Sequence, residues 1–502
     1  MLEVAFIWQA KRNYVPLPAD VRTKKMKVTF LIPPVLDGGR PAERTSGCTH
    51  VVYPTPNVYE LCVASLLEAA GIEVALADFV HGKQSGSWTT WLAEDHSQVY
   101  ALWTVNLSLD NDVQVCALIH AQRPEATVLL MGPGATFFTD KCLCDERTIV
   151  VRGEPDDTVV SVVKALQEGT PWQSLAGVSY LQGGQLHHNP PAPPIAHLDG
   201  RPLPARHLLG TQTFHNPKLK RGPYTAMLTS RGCPYGCIYC VPSSLTFARE
   251  IDYRRTHRGK PRVGMRSVED VERELRELSE QGYKAIGFVD DNFIWDEERT
   301  LALCALMKKY GFIWGCQARV DAITPAIAAA LGESGCKYVD LGVESFNDDI
   351  LRYIKKGITS TQIEEAIALL QRHDVPVKLN ILIGSSPLET KQTLKDTLRR
   401  ARKLKVDQIM FNIVSPFPGT EFYRLAKENG WLRGGEYVPT DVQRHAIIDL
   451  PHLSAREMER ILFWCNVRYF LSPRFIWKHL RQFSSWTEFH AALQALKRKL
   501  FG

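Results

Sequence analysis

Residues 230–240 read SRGCPYGCIYC and follow directly on an apolar segment with the pattern of a β-strand. Their C-x3-C-x2-C spacing puts Cys233, Cys237 and Cys240 on one short loop. Such clusters normally take four cysteines, so three thiolates would hold a [4Fe–4S] cubane and leave one iron with an open position. A structural zinc site would usually pair two C-x2-C units, and a ferredoxin-type site would need a fourth cysteine at the usual spacing. The loop therefore favours a reactive cluster over these two alternatives.

From Tyr224 onward the chain alternates apolar strand-like segments with amphipathic helical ones, and the cysteine loop lies within this part. Six strands are predicted, at Tyr224–Thr229, Ala285–Val289, Ile313–Gln317, Tyr338–Leu341, Pro376–Ile383 and Gln408–Ile413. Six such units fit a partial (β/α)6 barrel, open on one side, better than a full barrel of eight units. The cysteine loop follows the first of these strands, at the end of the barrel where barrel enzymes carry their chemistry.

The chain before the loop shows the same rhythm in a separate block. Five strands are predicted, at Lys27–Ile32, Glu73–Leu76, Val99–Val105, Thr127–Met131 and Thr148–Val151. With helices between them, they predict a doubly wound, flavodoxin-like sheet whose ligands bind at the carboxyl ends of the strands. A hairpin at Val178–His187 and a proline-rich linker at Asn189–Arg206 separate the two blocks.

Composition narrows the class of protein. The 502 residues are 45% hydrophobic and 23% charged, as in a soluble multidomain protein, and the net charge of +6 is too mild to argue for a nucleic-acid partner. The first 27 residues lack the features of a signal peptide, and no run of eighteen apolar residues occurs. Twelve cysteines without a secretory signal read as reduced thiols, so a cytoplasmic location is expected.

The cysteine loop, with Tyr239 before its last cysteine, resembles that of the radical S-adenosylmethionine (SAM) superfamily, and the resemblance runs through Tyr224–Leu432. It includes the segments GFVDDNF at 287–293, CQARVD at 316–321, GVES at 342–345 and PFPGT at 416–420. The resemblance implies that the open iron chelates SAM and that the cluster cleaves it to a 5′-deoxyadenosyl radical. It also implies a set of SAM-binding residues, namely Tyr239, Asp290, Asp291, Arg319, Glu344, Ser345 and Gly384.

The resemblance implies a role for several of these residues. The carboxylates of Asp290 and Asp291 would approach the methionine amino group, and Arg319 would bind the methionine carboxylate. Glu344 would meet the ribose hydroxyls or the methionine end, and Gly384 would lie near the adenine. No catalytic residue beyond the cluster site is assigned.

The first block resembles the cobalamin-binding domain that precedes the barrel in one large subgroup of this superfamily. The resemblance implies a set of cobalamin contacts, namely Ser108, Gly132, Gly134 and Glu154. The D-x-H-x-x-G motif that supplies a cobalt ligand in some cobalamin proteins is absent, and MGPG at 131–134 replaces the more usual paired glycines. A domain that is kept without binding cobalamin therefore stays open as an alternative.

The predicted organisation follows from these two resemblances. An N-terminal extension spans 1–25, the cobalamin-binding-type domain 26–170, the hairpin and linker 171–221, the radical SAM barrel 222–428 and a small C-terminal helical region 429–502. The arrangement resembles the class B radical SAM methyltransferases and the branch with anaerobic chlorophyll-ring cyclases and hopanoid-modifying enzymes. It implies a [4Fe–4S] cluster, SAM, cobalamin and an external electron donor such as flavodoxin or ferredoxin.

The expected reaction is cobalamin-dependent C-methylation of an unactivated carbon in a small molecule or lipid. One alternative is an oxidative cyclase or rearrangement enzyme without methyl transfer, and another is an iron–sulfur electron carrier or sensor. Apolar residues spaced three or four apart between Ile476 and Leu500 favour helices packed on the barrel, with peripheral membrane contact as the second reading. The C-x-C pair Cys142 and Cys144 receives no assigned role.

Overall fold

The computed structural model describes residues 26–81, 87–210, 212, 214–473 and 476. The strands are β1 Lys27–Ile32, β2 Glu73–Asp78, β3 Val99–Trp103, β4 Thr127–Met131, β5 Thr148–Val151, β6 Val178–Gln182, β7 Gln185–His188, β8 Tyr224–Met227, β9 Ser230–Arg231, β10 Gly264–Met265, β11 Ala285–Phe288, β12 Ile313–Ala318, β13 Cys336–Glu344, β14 Val377–Ile383 and β15 Gln408–Ile413.

The α-helices are α1 Val58–Ala69, α2 Trp88–Glu94, α3 Leu109–Gln122, α4 Pro133–Phe137, α5 Thr139–Cys142, α6 Asp156–Glu168, α7 Ser244–Tyr253, α8 Val268–Glu280, α9 Glu297–Tyr310, α10 Pro325–Glu333, α11 Asp348–Tyr353, α12 Ser360–Arg372, α13 Lys391–Lys403, α14 Glu421–Glu428 and α15 Ala455–Phe470.

The first sheet has the order β2-β1-β3-β4-β5-β6-β7, with β1 to β5 parallel. This is the doubly wound, flavodoxin-like order, so the predicted fold class is confirmed. Every residue of β3 is buried because helices cover both faces of the sheet: α1 and α6 pack on one face and α3 on the other. Such strands read as continuous apolar segments in the sequence.

The hairpin of β6 and β7 turns at Gly183 and Gly184, both with positive φ. Strand β6 pairs antiparallel with β5, so the hairpin extends the first sheet to seven strands. The sequence predicted the hairpin but not this pairing.

The second sheet has the order β8-β11-β12-β13-β14-β15, and all of its neighbouring strands are parallel. The predicted partial (β/α)6 barrel is confirmed. Burial alternates strictly along β14, where Val377, Leu379 and Ile381 are buried against the helices while Lys378 and Asn380 face the barrel interior and are only half-buried. The short strands β9 and β10 form a separate antiparallel pair next to the cysteine loop.

The two domains are in extensive contact. Helix α4 of the first domain packs along α7 of the second. The indole Nε1 of Trp103, at the end of β3, donates to the Ser244 hydroxyl 3.1 Å away, and the amide of Asn106 donates to the Tyr437 hydroxyl at 3.1 Å. The carboxyl ends of the first sheet therefore face the barrel.

The described part of the C-terminal region folds as α15, which packs against β15. Its Ser454 N-cap forms a capping box with Glu457. No helix in the described ranges combines the length and apolar character needed to cross a membrane. Apart from the exposed Ile476, the segment predicted to form helices packed on the barrel, with peripheral membrane contact as the alternative, lies outside the described residues.

Candidate functional site

The cysteine loop is held at the carboxyl end of the barrel by backbone contacts. The Ile238 N–H donates to the Ile354 carbonyl at 3.1 Å, and the Phe422 N–H donates to the Ile238 carbonyl at 2.9 Å. These bonds connect the loop to the ends of α11 and α14. All three cysteines are free and partly accessible, so their sulfurs remain available as ligands.

The thiols lie close enough to influence one another. Burial and the neighbouring Cys237 and Cys233 raise the pKa of Cys240 well above its usual value, and burial raises the pKa of Cys233. Since thiolates are the ligand form, cluster binding must release protons here. No three His, Cys, Asp or Glu side chains in the described ranges are set to hold a single metal ion. That arrangement is not needed for a cubane, in which each cysteine binds a different iron.

Three cations surround the loop. The Arg319 Nη1 lies 3.8 Å from the Cys237 sulfur, and its guanidinium stacks over the ring of Tyr235 at 3.7 Å. Lys356 is buried, and although burial lowers its pKa, Glu344 and then Cys237 raise it. Lys260 pairs with Glu250 at 3.1 Å and lies near Cys240. The positive charges lower the cost of gathering thiolates at this site.

Asp290 and Asp291 accept hydrogen bonds from the residues that lead into the cysteine loop. Asp290 is fully buried and accepts the Thr229 N–H, the Thr229 hydroxyl at 2.7 Å and the Ser230 hydroxyl at 2.6 Å. Asp291 accepts the Gly232 N–H at 3.0 Å and a short hydrogen bond from Thr246. Burial raises the pKa of both carboxyls. The hydrogen bonds from Gly232 and Thr246 go to one Asp291 oxygen, and the other oxygen is buried beside them.

Arg319 and Glu344 lie on the same side of the loop, each with an ion partner. Arg319 makes a two-pronged contact with Asp321, with both distances 2.9 Å, and donates to the Lys356 carbonyl at 2.7 Å. Glu344 has φ +66° and accepts from the Lys356 ammonium at 2.8 Å, which also lies 3.4 Å from the Tyr239 hydroxyl. The structure therefore brings together Tyr239, Arg319 and Glu344 from three separate segments.

Ser345 and Gly384 have local packing roles. The Ser345 hydroxyl lies 3.3 Å from that of Thr397 and accepts the Asn347 N–H. A Cβ at Gly384, which has φ +81°, would lie 2.3 Å from the Met458 sulfur of α15. The Gly384 N–H donates to buried Glu389, whose pKa burial raises to about 8.

A second candidate region is a crevice lined by the carboxyl ends of β1 and β2 and by the segment after β3, beside the point between β1 and β3 where the strand order of the first sheet reverses. The crevice is open to solvent, and its lining includes Ser108, Asn111, Tyr53 and Phe214. Open α/β sheets bind ligands at such switch points. Ser108 thus lies where the sequence predicts a ligand, with its hydroxyl 2.8 Å from Asp112.

Charged side chains form one wall of the crevice. Arg44 makes two bonds of 2.8 Å to the fully buried Asp112. Glu60 accepts the Trp103 N–H, and burial raises its pKa to about 7 despite the nearby Arg44. The crevice is therefore polar on one side and apolar on the other.

The two glycines predicted to contact cobalamin pack closely against neighbouring backbone of the first domain. A Cβ at Gly134 would lie 2.7 Å from the Val105 carbonyl carbon, and one at Gly132, which has φ +95°, would lie 2.8 Å from the Thr104 carbonyl oxygen. These glycines let the turn after β4 pack against the loop after β3. They do not line the crevice, and their assignment stays a prediction.

Glu154 takes part in an ion-pair bridge between the domains. It accepts from Arg231 at 2.8 Å and from Arg249 at 3.1 Å, and Arg231 also makes two bonds of 3.0 Å to Asp156. All four side chains are at least 94% buried. Since Arg231 directly precedes Gly232 and Cys233, this bridge ties the cysteine loop to the first domain.

Sequence reasoning missed Lys260, Lys356, Arg44 and Arg231 as parts of these sites. Lys356 follows a loop after α11 and meets Glu344 only because that loop folds back on β13. Arg231 stands inside the quoted loop, but its carboxylate partners lie 75 and 77 residues earlier in the chain. Neither contact has a signal in the local pattern.

The comparisons with known proteins agree with this geometry. Residues 227–401 match the family model described as the radical SAM superfamily. An uncharacterized methyltransferase of Pyrococcus horikoshii is 30% identical over 366 residues, which cover 70% of this chain and 74% of that protein. An anaerobic magnesium-protoporphyrin IX monomethyl ester cyclase of Synechocystis is 24% identical over 455 residues, with 84% and 83% of the two chains covered.

A solved structure extends the likeness to both domains. The cobalamin-dependent S-adenosylmethionine radical enzyme OxsB superposes with a TM-score of 0.69 at 15% identity, and the match covers 94% of this chain and 72% of OxsB. At this identity the likeness concerns the fold. From the cysteine loop, its barrel, the family match and the Pyrococcus relative together, we conclude that this chain belongs to the radical SAM superfamily.

Proposed function

We propose that this protein is a cobalamin-dependent radical SAM methyltransferase that methylates an unactivated carbon of a small molecule or lipid. The observation that carries the proposal is the solvent-open crevice beside the switch point of a first sheet whose strand ends face the barrel. The names of the Pyrococcus methyltransferase and of OxsB point the same way.

The residues present fit the cofactors that the family implies. Cys233, Cys237 and Cys240 would hold the cluster, and the crevice beside Ser108 would take part of the cobalamin. When bound, the cluster supplies the electron that cleaves SAM to methionine and a 5′-deoxyadenosyl radical, and cobalamin supplies the methyl carrier. An external one-electron donor such as flavodoxin or ferredoxin would reduce the cluster.

The protein's own groups orient SAM and keep its charges paired. The Asp291 carboxylate would accept a hydrogen bond from the methionine ammonium group, and the Arg319 guanidinium would pair with the methionine carboxylate beside Cys237. Glu344, positioned by the Lys356 ammonium, would accept hydrogen bonds from the ribose hydroxyls. These roles match the charges already present around the loop.

The test is anaerobic reconstitution with iron, sulfide and hydroxocobalamin, followed by reduction in the presence of SAM. Bound corrin, 5′-deoxyadenosine and S-adenosylhomocysteine are measured together. The proposal expects one corrin per chain and both nucleoside products. Ser108→Val should lower corrin retention because its added methyl groups enter the crevice, whereas Ser161→Val, on the exposed face of α6, should not.

A cyclase or rearrangement reaction is the second candidate, favoured by the match to the Synechocystis cyclase over most of both chains. It predicts 5′-deoxyadenosine without S-adenosylhomocysteine. A reduced cluster that produces no 5′-deoxyadenosine at all would instead indicate an electron carrier or sensor.

A further inference from the structure

Three charged side chains meet inside the barrel, on the side away from the cysteine loop. Asp340 and Lys378 are register partners on β13 and β14, and the Lys378 ammonium lies 2.7 Å from the Asp340 carboxylate. Lys218, from the segment before β8, reaches the same carboxylate with bonds of 3.1 and 2.9 Å. Its ammonium also lies 3.9 Å from the centre of the Tyr338 ring.

The charges of this cluster do not balance. Two ammonium groups share one carboxylate, and in the described part of the chain neither lysine has an ion pair other than with Asp340. Burial and the nearby Lys218 lower the pKa of Lys378 to about 8, against the opposing effect of Asp340. Paired buried charges are the rule in protein interiors. A surplus of one positive charge here therefore favours an anionic ligand.

The cluster is accessible from the barrel interior. The side chains of Lys218 and Lys378 are 19% and 12% exposed although both lie within the barrel. On neighbouring strands the interior-facing Gln317 is exposed, and Asn380 and Met410 are only half-buried. The space between the lysines and the strand ends is thus lined by side chains that keep some exposure to solvent.

The distance to the cysteine side is set by the strand itself. Asp340 precedes Glu344 by four residues on β13, which corresponds to about 13 Å at roughly 3.3 Å per residue. A molecule held at the lysines would extend along the interior toward the SAM-binding groups. Its far end would then lie next to the site of radical formation.

We propose that Lys218 and Lys378 bind a carboxylate of the substrate and thereby anchor it inside the barrel. This inference rests on the proposed radical SAM function and names the substrate class for that site. A carboxylate carries the single negative charge that the cluster lacks, whereas a phosphate monoester carries −1.5 to −2 near neutral pH. Each ammonium has three N–H donors, so it can serve Asp340 and a second carboxylate together.

The test uses butyrate as the probe. The protein is reconstituted with its iron–sulfur cluster and saturated with SAM, so that the site for the methionine carboxylate is filled. Calorimetric titrations compare butyrate with butyramide, butylamine and n-butyl phosphate at constant ionic strength. We expect one butyrate per chain and at least tenfold weaker binding of the other three. Equal binding of butyrate and butyramide would overturn the proposal, and tighter binding of butyl phosphate would overturn the assignment to a carboxylate.

Variants give an independent readout. Lys378→Met leaves Lys218 and Asp340 as a neutral pair and should weaken butyrate binding at least tenfold, while Asp340→Asn adds a net charge and should strengthen it. Lys337→Met removes the same charge from an exposed position on β13 and serves as the matched control. Unchanged butyrate affinity in Lys378→Met would refute the anchor. Because binding requires no turnover, this result is separate from the outcome of the methyltransferase assay.

Discussion

The cysteine side of the barrel and the crevice of the first sheet are both built at the carboxyl ends of parallel strands, yet they are assembled differently. Around the cysteine loop, the three cysteines and one ion pair, that of Arg319 with Asp321, are close in sequence, although the partners of Arg231 lie 75 and 77 residues earlier. In the crevice, Arg44 and Asp112 come from elements 68 residues apart. The first region can therefore be recognised from motifs, whereas the second exists only once the sheet has formed.

The largest effect is expected on the cysteine side. Cys240→Ala should abolish 5′-deoxyadenosine formation and cluster absorbance, because two remaining thiolates cannot hold the cubane in place. Iron and sulfide content after reconstitution is the measurement. Cys144→Ala, at an exposed cysteine, is the control, and a variant at Cys240 that retained a SAM-cleaving cluster would contradict the assignment.

In the crevice the main expected effect is on stability. Arg44→Met leaves Asp112 buried without its cation, which should lower the free energy of unfolding by about 3–5 kcal/mol. Denaturant titration of the reconstituted protein measures this. If the loss were no greater than for an exposed ion pair, the crevice wall would not be the buried, charge-paired structure described above.

A pH experiment compares the two regions through one buried carboxyl group in each, Glu389 in the barrel and Glu60 in the crevice, whose pKa burial raises. Glu389 has a pKa of about 8 against 4.5 in its ordinary state, and Glu60 about 7. A raised carboxyl pKa stabilises the folded protein below the unfolded value, and this stability is lost as pH rises through the folded value. Between pH 6 and 8 wild type should lose about 2 kcal/mol of stability that Glu389→Gln does not lose.

The control for this experiment is Glu60→Gln. Its difference from wild type should level off about one pH unit lower than that of Glu389→Gln, because its folded pKa is lower. Parallel stability curves for wild type and Glu389→Gln would show that Glu389 does not titrate in this range.

The smallest effect is expected at the surface of the barrel. Arg352 and Asp349 form an exposed ion pair at 2.7 Å, with side chains 75% and 72% exposed. Arg352→Ala should change the unfolding free energy by less than about 1 kcal/mol, since such pairs are screened by water and salt. A larger loss of unfolding free energy in the same denaturant titration would show that this exposed ion pair contributes a stability similar to that of the buried pair of Arg44 and Asp112.

The sequence predicted the periodic elements well. The predicted bounds of β4 and β15 agree with the structure, because each strand has one uniform apolar pattern. The three cysteines and the later barrel motifs could be recognised for the same reason: each motif is local.

Helix α7 shows why the rest could not be predicted. Its sequence, SLTFAREIDY, places Arg249, Glu250 and Asp252 among apolar residues, and all three are buried. Their partners include Glu154 and Arg152 in the first domain and Lys260 beyond the helix. Buried charges whose partners include distant segments break the amphipathic pattern on which a sequence-based prediction depends.

The ion-pair bridge of Arg231 and Arg249 with Glu154 and Asp156 limits how freely this architecture can be recombined. A barrel severed at the linker would keep two guanidinium groups beside the cysteine loop and lose the carboxylates that neutralise them. A chimaera with a foreign first domain would need acidic residues at the start of the helix equivalent to α6. The two domains of this protein are therefore expected to be exchanged between family members only together, or with partners that carry matching charges at this contact.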